Sequence, residues 1–249
     1  MRLVSRKTYA GTVCYQEVYM VSDRVRDVRS AQPPRQRFAD ENERAEHRTK
    51  MARKHHAQLV NANFTPRSYY STLTFDDAHE VHTFDEARRI RNAYRRRLRT
   101  AYPDAVIFLY MGRGKTTSRI HFHMISDGVP AEEIVRMWEY GSIKDCETLR
   151  ENCVYDHKDH GTDYTGLANY LFDHWTPEQG GHHYSATRNA RQPEQEDAEE
   201  VNVLYTEDNP PKPPRGYTLV ETRSTRFAYI SYKFVKLPPK RRPGRPRKA

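Results

Sequence analysis

Cysteine is scarce in this chain, with Cys14, Cys146 and Cys153 the only three in 249 residues. So small and odd a number excludes a disulfide framework and fits a reducing compartment. Long apolar runs are missing as well. No stretch approaches the roughly 20 apolar residues that cross a bilayer, and the polar, Arg-rich N-terminus lacks the apolar segment of a secretion signal. A cytoplasmic location with no membrane partner is therefore expected. Internal repeats are absent too, so the chain is no repeat array.

What is present is enough apolar residue, 36%, to bury a core, together with a formal net charge of +9. The charge is uneven. Six of the 42 Lys and Arg lie in "KRRPGRPRK" at 240–248, and the remaining 36 nearly balance 33 acids. A balanced body with a basic tail is a footprint suited to a polyanion.

Residues 8–20, rich in Val, Tyr and Thr, read as a strand, and the charged, Gly- and Pro-free stretch 39–62 reads as a helix. "FTPRSYYSTLTF" predicts a strand at about 68–75. Thr83 with Glu86 forms a capping-box signature, after which Phe84, Ala87, Ile90, Tyr94 and Leu98 keep helical spacing with arginines on the other faces. "AVIFLYM" (105–111) and "RIHFHMI" (119–125), joined by a short glycine-containing link, predict a hairpin at the centre of a sheet. "PAEEIVRMWEY" and "DYTGLANYLFDHW" (163–175) predict further helices, and 217–236 again favours strand. The expected fold is α+β: a mainly antiparallel sheet with helices packed on it, forming one domain over 1–236 with its N-terminal strand and helix extension at 1–62, and a basic disordered tail at 237–249.

The segment "GRGKTTSRIHFHMIS" (112–126) begins like a phosphate-binding loop. Such a loop needs a glycine five residues before Gly114-Lys115, where this chain has Leu109, and a helix after Thr116, where it has a strand signal. The second half carries more. On a strand, His121 and His123 point to one side and Phe122 to the other, so the two imidazoles can chelate one cation. In the later helix, steps of about 100° cluster Tyr164, Leu167, Ala168, Leu171 and Trp175 on an apolar stripe. Tyr170 and His174 fall together on its flank, near Asp163.

A His-hydrophobe-His strand followed some fifty residues later by a helix bearing a tyrosine resembles the HUH endonucleases, and within them the rolling-circle replication initiators of bacterial plasmids and phages. "RIHFHMI" resembles that family's metal motif, "YYSTLTF" its threonine-rich strand, "GLANYLFDHW" its tyrosine helix, and "GHHYSATRNARQP" the segment that follows. The likeness spans roughly 5–235. It implies that His121 and His123 hold Mg²⁺ or Mn²⁺ and that Tyr170 attacks a phosphodiester of single-stranded origin DNA. The product would be a 5′-phosphotyrosine and a free 3′ hydroxyl. Polymerase and helicase would come from the host. Two positions depart from the family: Gly112 stands where many members carry an acidic third ligand, and His174 stands where a lysine often follows the tyrosine. The third ligand is thus unassigned, and His174 is expected to help orient phosphate.

Among the other basic residues, Arg113, Lys115 and Arg119 flank the metal strand and are candidates for DNA phosphate contact. A dense run of arginines at 88–99 reads either as a solvated helix face or as a DNA-backbone surface. The tail resembles an AT-hook, in which Arg242, Arg245 and Arg247 would enter a narrow minor groove around Gly244. Three alternatives remain at this stage. Cys146, Cys153, His157 and His160 could hold zinc, although the cysteine spacing exceeds the usual two to four residues. The chain could be a non-enzymatic DNA-binding protein that uses its tail, or a transposase or relaxase of the same superfamily.

Overall fold

Gly11 divides the first predicted strand in two. Its φ of +58° suits a residue without a side chain, and a Cβ there would lie 2.2 Å from the Asn61 carbonyl oxygen. The chain therefore reverses, and the single strand expected at 8–20 is a hairpin of β1 (Arg2–Ala10) and β2 (Val13–Val21), paired from Ala10 opposite Val13 outward. The computed structural model describes residues 1–21, 40–114, 118–150, 161–179, 181–225 and 229–237. The tail from 238 onward lies outside the described residues.

The elements that follow are α1 (Glu41–Asn63), β3 (Tyr69–Thr74), α2 (Phe84–Ala101), β4 (Val106–Arg113), β5 (Ile120–Asp127), α3 (Ala131–Arg136), β6 (Ile143–Thr148) and α4 (Thr165–Phe172). Three two-residue strands come next, β7 (Ser185–Ala186), β8 (Glu194–Gln195) and β9 (Glu199–Glu200). The strand expected at 217–236 is likewise two, β10 (Tyr217–Thr225) and β11 (Tyr229–Lys236). The fold class is α+β as expected, with two antiparallel sheets where one was anticipated.

The first sheet runs β10-β11-β2-β1-β8, with β9 also on β1. On one face Ala10, Val13, Tyr15 and Val235 pack with Ala62 of α1; on the other, Cys14, Val18, Tyr232 and Phe234 are covered by Val201, Tyr205 and Tyr217. The acidic stretch thus serves as an edge, where Glu196 and Glu200 pair with Lys7 and Arg2.

The second sheet runs β6-β3-β5-β4-β7, which puts the predicted hairpin at its centre. Period-two alternation splits its side chains between two cores. Ile107, Leu109, Met111, Phe122 and Met124 meet Ala87, Tyr94 and Leu98 of α2. Phe108, Tyr110 and Ile125 meet Val60 of α1 and Ala168 and Leu171 of α4. Helix α2 starts as its sequence predicts, with Thr83 Oγ1 accepting from the Glu86 N–H. Among the described residues, no helix is long and apolar enough to cross a membrane.

Candidate metal centre

Strand β5 carries His121 and His123 on the α1/α4 face, with Phe122 turned to the opposite core. The Nε2 atoms of the two histidines are 3.2 Å apart. Helix α4 ends at Phe172, and the chain turns through Asp173 to bring in His174. Its ring centroid lies 4.6 Å from that of His123 and 6.3 Å from that of His121. One ligand nitrogen from each of the three lies within 4.8 Å of the others. This triad could hold a metal ion.

Each Nδ1 has an oxygen to meet. His174 Nδ1 donates to the Tyr170 carbonyl at 2.8 Å, His123 Nδ1 lies 2.7 Å from the Tyr70 hydroxyl and 3.3 Å from Thr72 Oγ1, and His121 Nδ1 lies 3.5 Å from the Arg119 carbonyl. With the proton on Nδ1 in each ring, all three Nε2 lone pairs are left for a cation, the arrangement in which outer partners fix the tautomer of a ligand. Nitrogens about 2.1 Å from one ion, at tetrahedral to octahedral angles, sit roughly 3.0–3.4 Å apart. The 3.2 Å gap between His121 and His123 falls in that range. Burial, then the neighbouring His121 and His174, push the pKa of His123 down to about 3, so it stays the neutral ligand form through physiological pH.

Gly112 borders the imidazole cluster. It pairs with His121 across β4 and β5, and a Cβ built on it would lie 2.9 Å from His121 Nε2 and 3.1 Å from His174 Cδ2. The space a side chain would take is filled by imidazole. His174, expected to help orient phosphate, thus lies beside His121 and His123, where it could also serve as a third metal ligand.

Several contacts hold His174 in place, none of them singled out by the sequence. Gln179 donates to the His174 carbonyl at 2.9 Å, Arg53 pairs with Asp173, and His183 stacks between Phe172 and Trp175 at 3.8 and 4.3 Å. Tyr70 and Thr72, behind His123, belong to the threonine-rich strand, but no local pattern marks them as its partners. Only the β3–β5 register does, since Thr72 lies opposite His123.

The ring of Tyr170 is 41% exposed and lies 4.4 Å from that of His174 and 6.2 Å from that of His123. Tyr164 is 2% exposed, with its hydroxyl donating to the Arg150 carbonyl, as its place on the apolar stripe predicts. Asp163 is buried and pairs with Lys233 at 2.9 Å. Arg119 is held by Asp77 at 2.7 Å and Glu80 at 3.2 Å. Arg113 lies over the Phe84 ring at 4.9 Å, on the α2 side of the sheet. Lys115, Arg242, Arg245 and Arg247 are outside the described residues, as are Cys153, His157 and His160 of the zinc alternative. Cys146 is half-buried on β6, with Ser71 as its neighbour.

Comparisons with protein-family models, curated proteins and solved structures return no match to this chain.

Proposed function

We propose that this chain is a metal-dependent, tyrosine-nucleophile DNA endonuclease of the rolling-circle initiator kind, nicking single-stranded origin DNA. The observation that carries the reading is the half-exposed Tyr170 ring beside a three-imidazole cluster. Nothing in the fold alone specifies DNA; the substrate comes from the order of motifs and from the basic tail.

A tyrosine phenol attacks only as it gives up its proton, so Tyr170 must lose that proton during the reaction. Its oxygen bonds to phosphorus while the bond from phosphorus to the 3′ oxygen breaks. The phenolic proton passes to solvent, and the departing 3′ oxygen takes one up. The 5′ phosphate stays on Tyr170, and the energy of the diester is kept for rejoining. Helix α4 carries Tyr170, and His174, just past the helix end, stays beside it through the bond from its Nδ1 to the Tyr170 carbonyl. A divalent ion bound by the triad would supply Lewis-acid stabilisation of the charge that builds on the phosphate oxygens. An all-imidazole donor set favours Mn²⁺ over Mg²⁺, which prefers oxygen ligands, and makes Zn²⁺ the competing ion to include in any titration. Host helicase and polymerase are the partners that this reaction requires.

The test is incubation with a labelled single-stranded oligonucleotide from the replicon's origin and Mn²⁺, followed by denaturing electrophoresis. A protein–DNA adduct is expected in the wild type and not in Tyr170→Phe. An adduct that survives that substitution would remove Tyr170 from the mechanism.

A further inference from the structure

On the α2 side of the second sheet, beside β4, residues 181–186 border an open pocket of about 300 Å³. Arg88 and Arg91 line it, with Met111 as floor and Ser185 on the wall. Arg95 reaches the same wall, donating to Ser185 Oγ and, at 3.3 Å, to the Ala186 carbonyl. Positions 88, 91 and 95 fall on one stripe of the helix, with Arg88 and Arg91 lining the pocket and Arg95 at its Ser185 wall, while Arg89, Arg96 and Arg99 stay on the exposed faces.

Arg91 is the unusual member. It is 9% exposed, and its guanidinium donates to the side-chain oxygen of the adjacent Asn92, at 3.3 and 3.1 Å. Among the described residues neither Arg91 nor Arg95 has a carboxylate partner. A buried charge without a counter-ion costs several kcal/mol, and like charges nearby add to it. Arg88 is only partly neutralised: it bonds Asp85, which is largely exposed, and the Gln179 carbonyl. Burial, then Arg95 and Arg88, push Arg91 down to about 10, so it is still charged at neutral pH and short of negative partners. Elsewhere α2 spends its arginines differently, as where Arg97 meets Glu139.

We infer that Arg88, Arg91 and Arg95 form a phosphate-binding pocket whose occupant is a backbone phosphate of the single-stranded DNA. The occupant's identity rests on the proposed nicking function, whereas the anion chemistry rests on the arginines alone. Guanidinium forks match phosphate oxygens in pairs, which Lys or His would not do. The pocket is also tied to the metal centre through one strand: Met111 is its floor, and the next residue, Gly112, faces His121 from the opposite side. A strand gripped at this edge would be held beside the end of β4 that carries the reacting site.

The experiment measures binding of a short labelled single-stranded oligonucleotide by fluorescence anisotropy, in EDTA and over a range of salt. Arg91→Gln should weaken binding about tenfold and reduce the slope of log K against log salt by ~0.7, the value for one phosphate contact on a single strand. Arg89→Gln, on the exposed side of the same helix, should change affinity by less than about threefold. Inorganic phosphate should raise the melting temperature of the wild type more than that of Arg91→Gln. If Arg91→Gln does not fold, the half-buried pair Arg88→Gln with Arg95→Gln gives the same reading. Wild-type affinity and salt slope in these variants would overturn the assignment, even if phosphate still stabilised the protein. Loss of the Tyr170 adduct from the wild type, with Arg91-dependent binding intact, would sink the nicking reaction and leave the pocket standing.

Discussion

The two sheets bury polar groups to opposite ends. In and around the first, buried charges find their partners inside the chain. Burial alone would raise the pKa of Glu17, yet Lys54, Tyr229 and Arg6 outweigh it and hold it low. Lys233 sits between Asp163 at 2.9 Å and Glu221 at 3.1 Å, and its pKa is raised against the effect of burial. Around the second sheet the unusual groups are of another kind: three imidazoles that could hold a metal ion lie together, and among the described residues Arg91 has no carboxylate partner. A buried polar group whose partners are internal serves folding. One whose partner must come from outside points to a ligand.

The sharpest way to break this contrast is at Tyr170. Tyr170→Phe should abolish adduct formation completely while leaving the melting temperature within about 1–2 °C of wild type, because Tyr170 is 41% exposed and the substitution keeps the ring. Next comes Lys233→Met, which leaves Asp163 buried without its cation. It should cost about 3 kcal/mol in denaturant unfolding. At temperatures where the variant is folded, its yield of adduct per molecule should match the wild type. A loss of chemistry without a loss of stability there would erase the distinction between the sheets.

A smaller effect is expected at Gly112. Gly112→Ala pushes on the rings of His121 and His174, which can move, so the fold should survive while Mn²⁺ affinity, read by calorimetric titration, falls about 10–100-fold. Pairing Gly112→Asp with His174→Ala removes one of the crowded rings and offers a carboxylate in its place, and should recover part of the affinity. No recovery would mean that His174 is not a ligand by position. The smallest effect concerns His56, fully buried with Nε2 at 2.8 Å from the Tyr110 hydroxyl. Burial first, then His183 and His55, push its pKa down to about 3. Below about pH 6.5 the unfolded chain takes up a proton that the folded chain refuses, so stability is full above that pH and falls as acid is added, by up to ~1.4 kcal/mol per unit. His56→Gln should flatten that part of the stability profile, measured by denaturant melts between pH 7 and pH 5.

Much of the site is legible in the sequence. The alternation of "RIHFHMI" already separates His121 and His123 from Phe122, and a spacing of four on a helix already joins Tyr170 to His174. The hairpin turns were not legible. The Val- and Tyr-rich runs at both ends of the described chain look continuous, and what cuts the first is Gly11 meeting Asn61, a contact about fifty residues away. The arginines of α2 were legible as a cluster but not as a pocket, because composition does not tell which face of a helix a later segment will cover.

Local periodicity thus settles which side chains share a face, since it follows from backbone geometry within a few residues. Tertiary structure alone settled which faces meet: Gly112 against His121, Tyr70 behind His123, His174 beside both strand histidines, and Arg91 beside residues 181–186. Strand register and helix docking are chosen by burial summed over distant segments, a quantity that no short stretch of sequence contains.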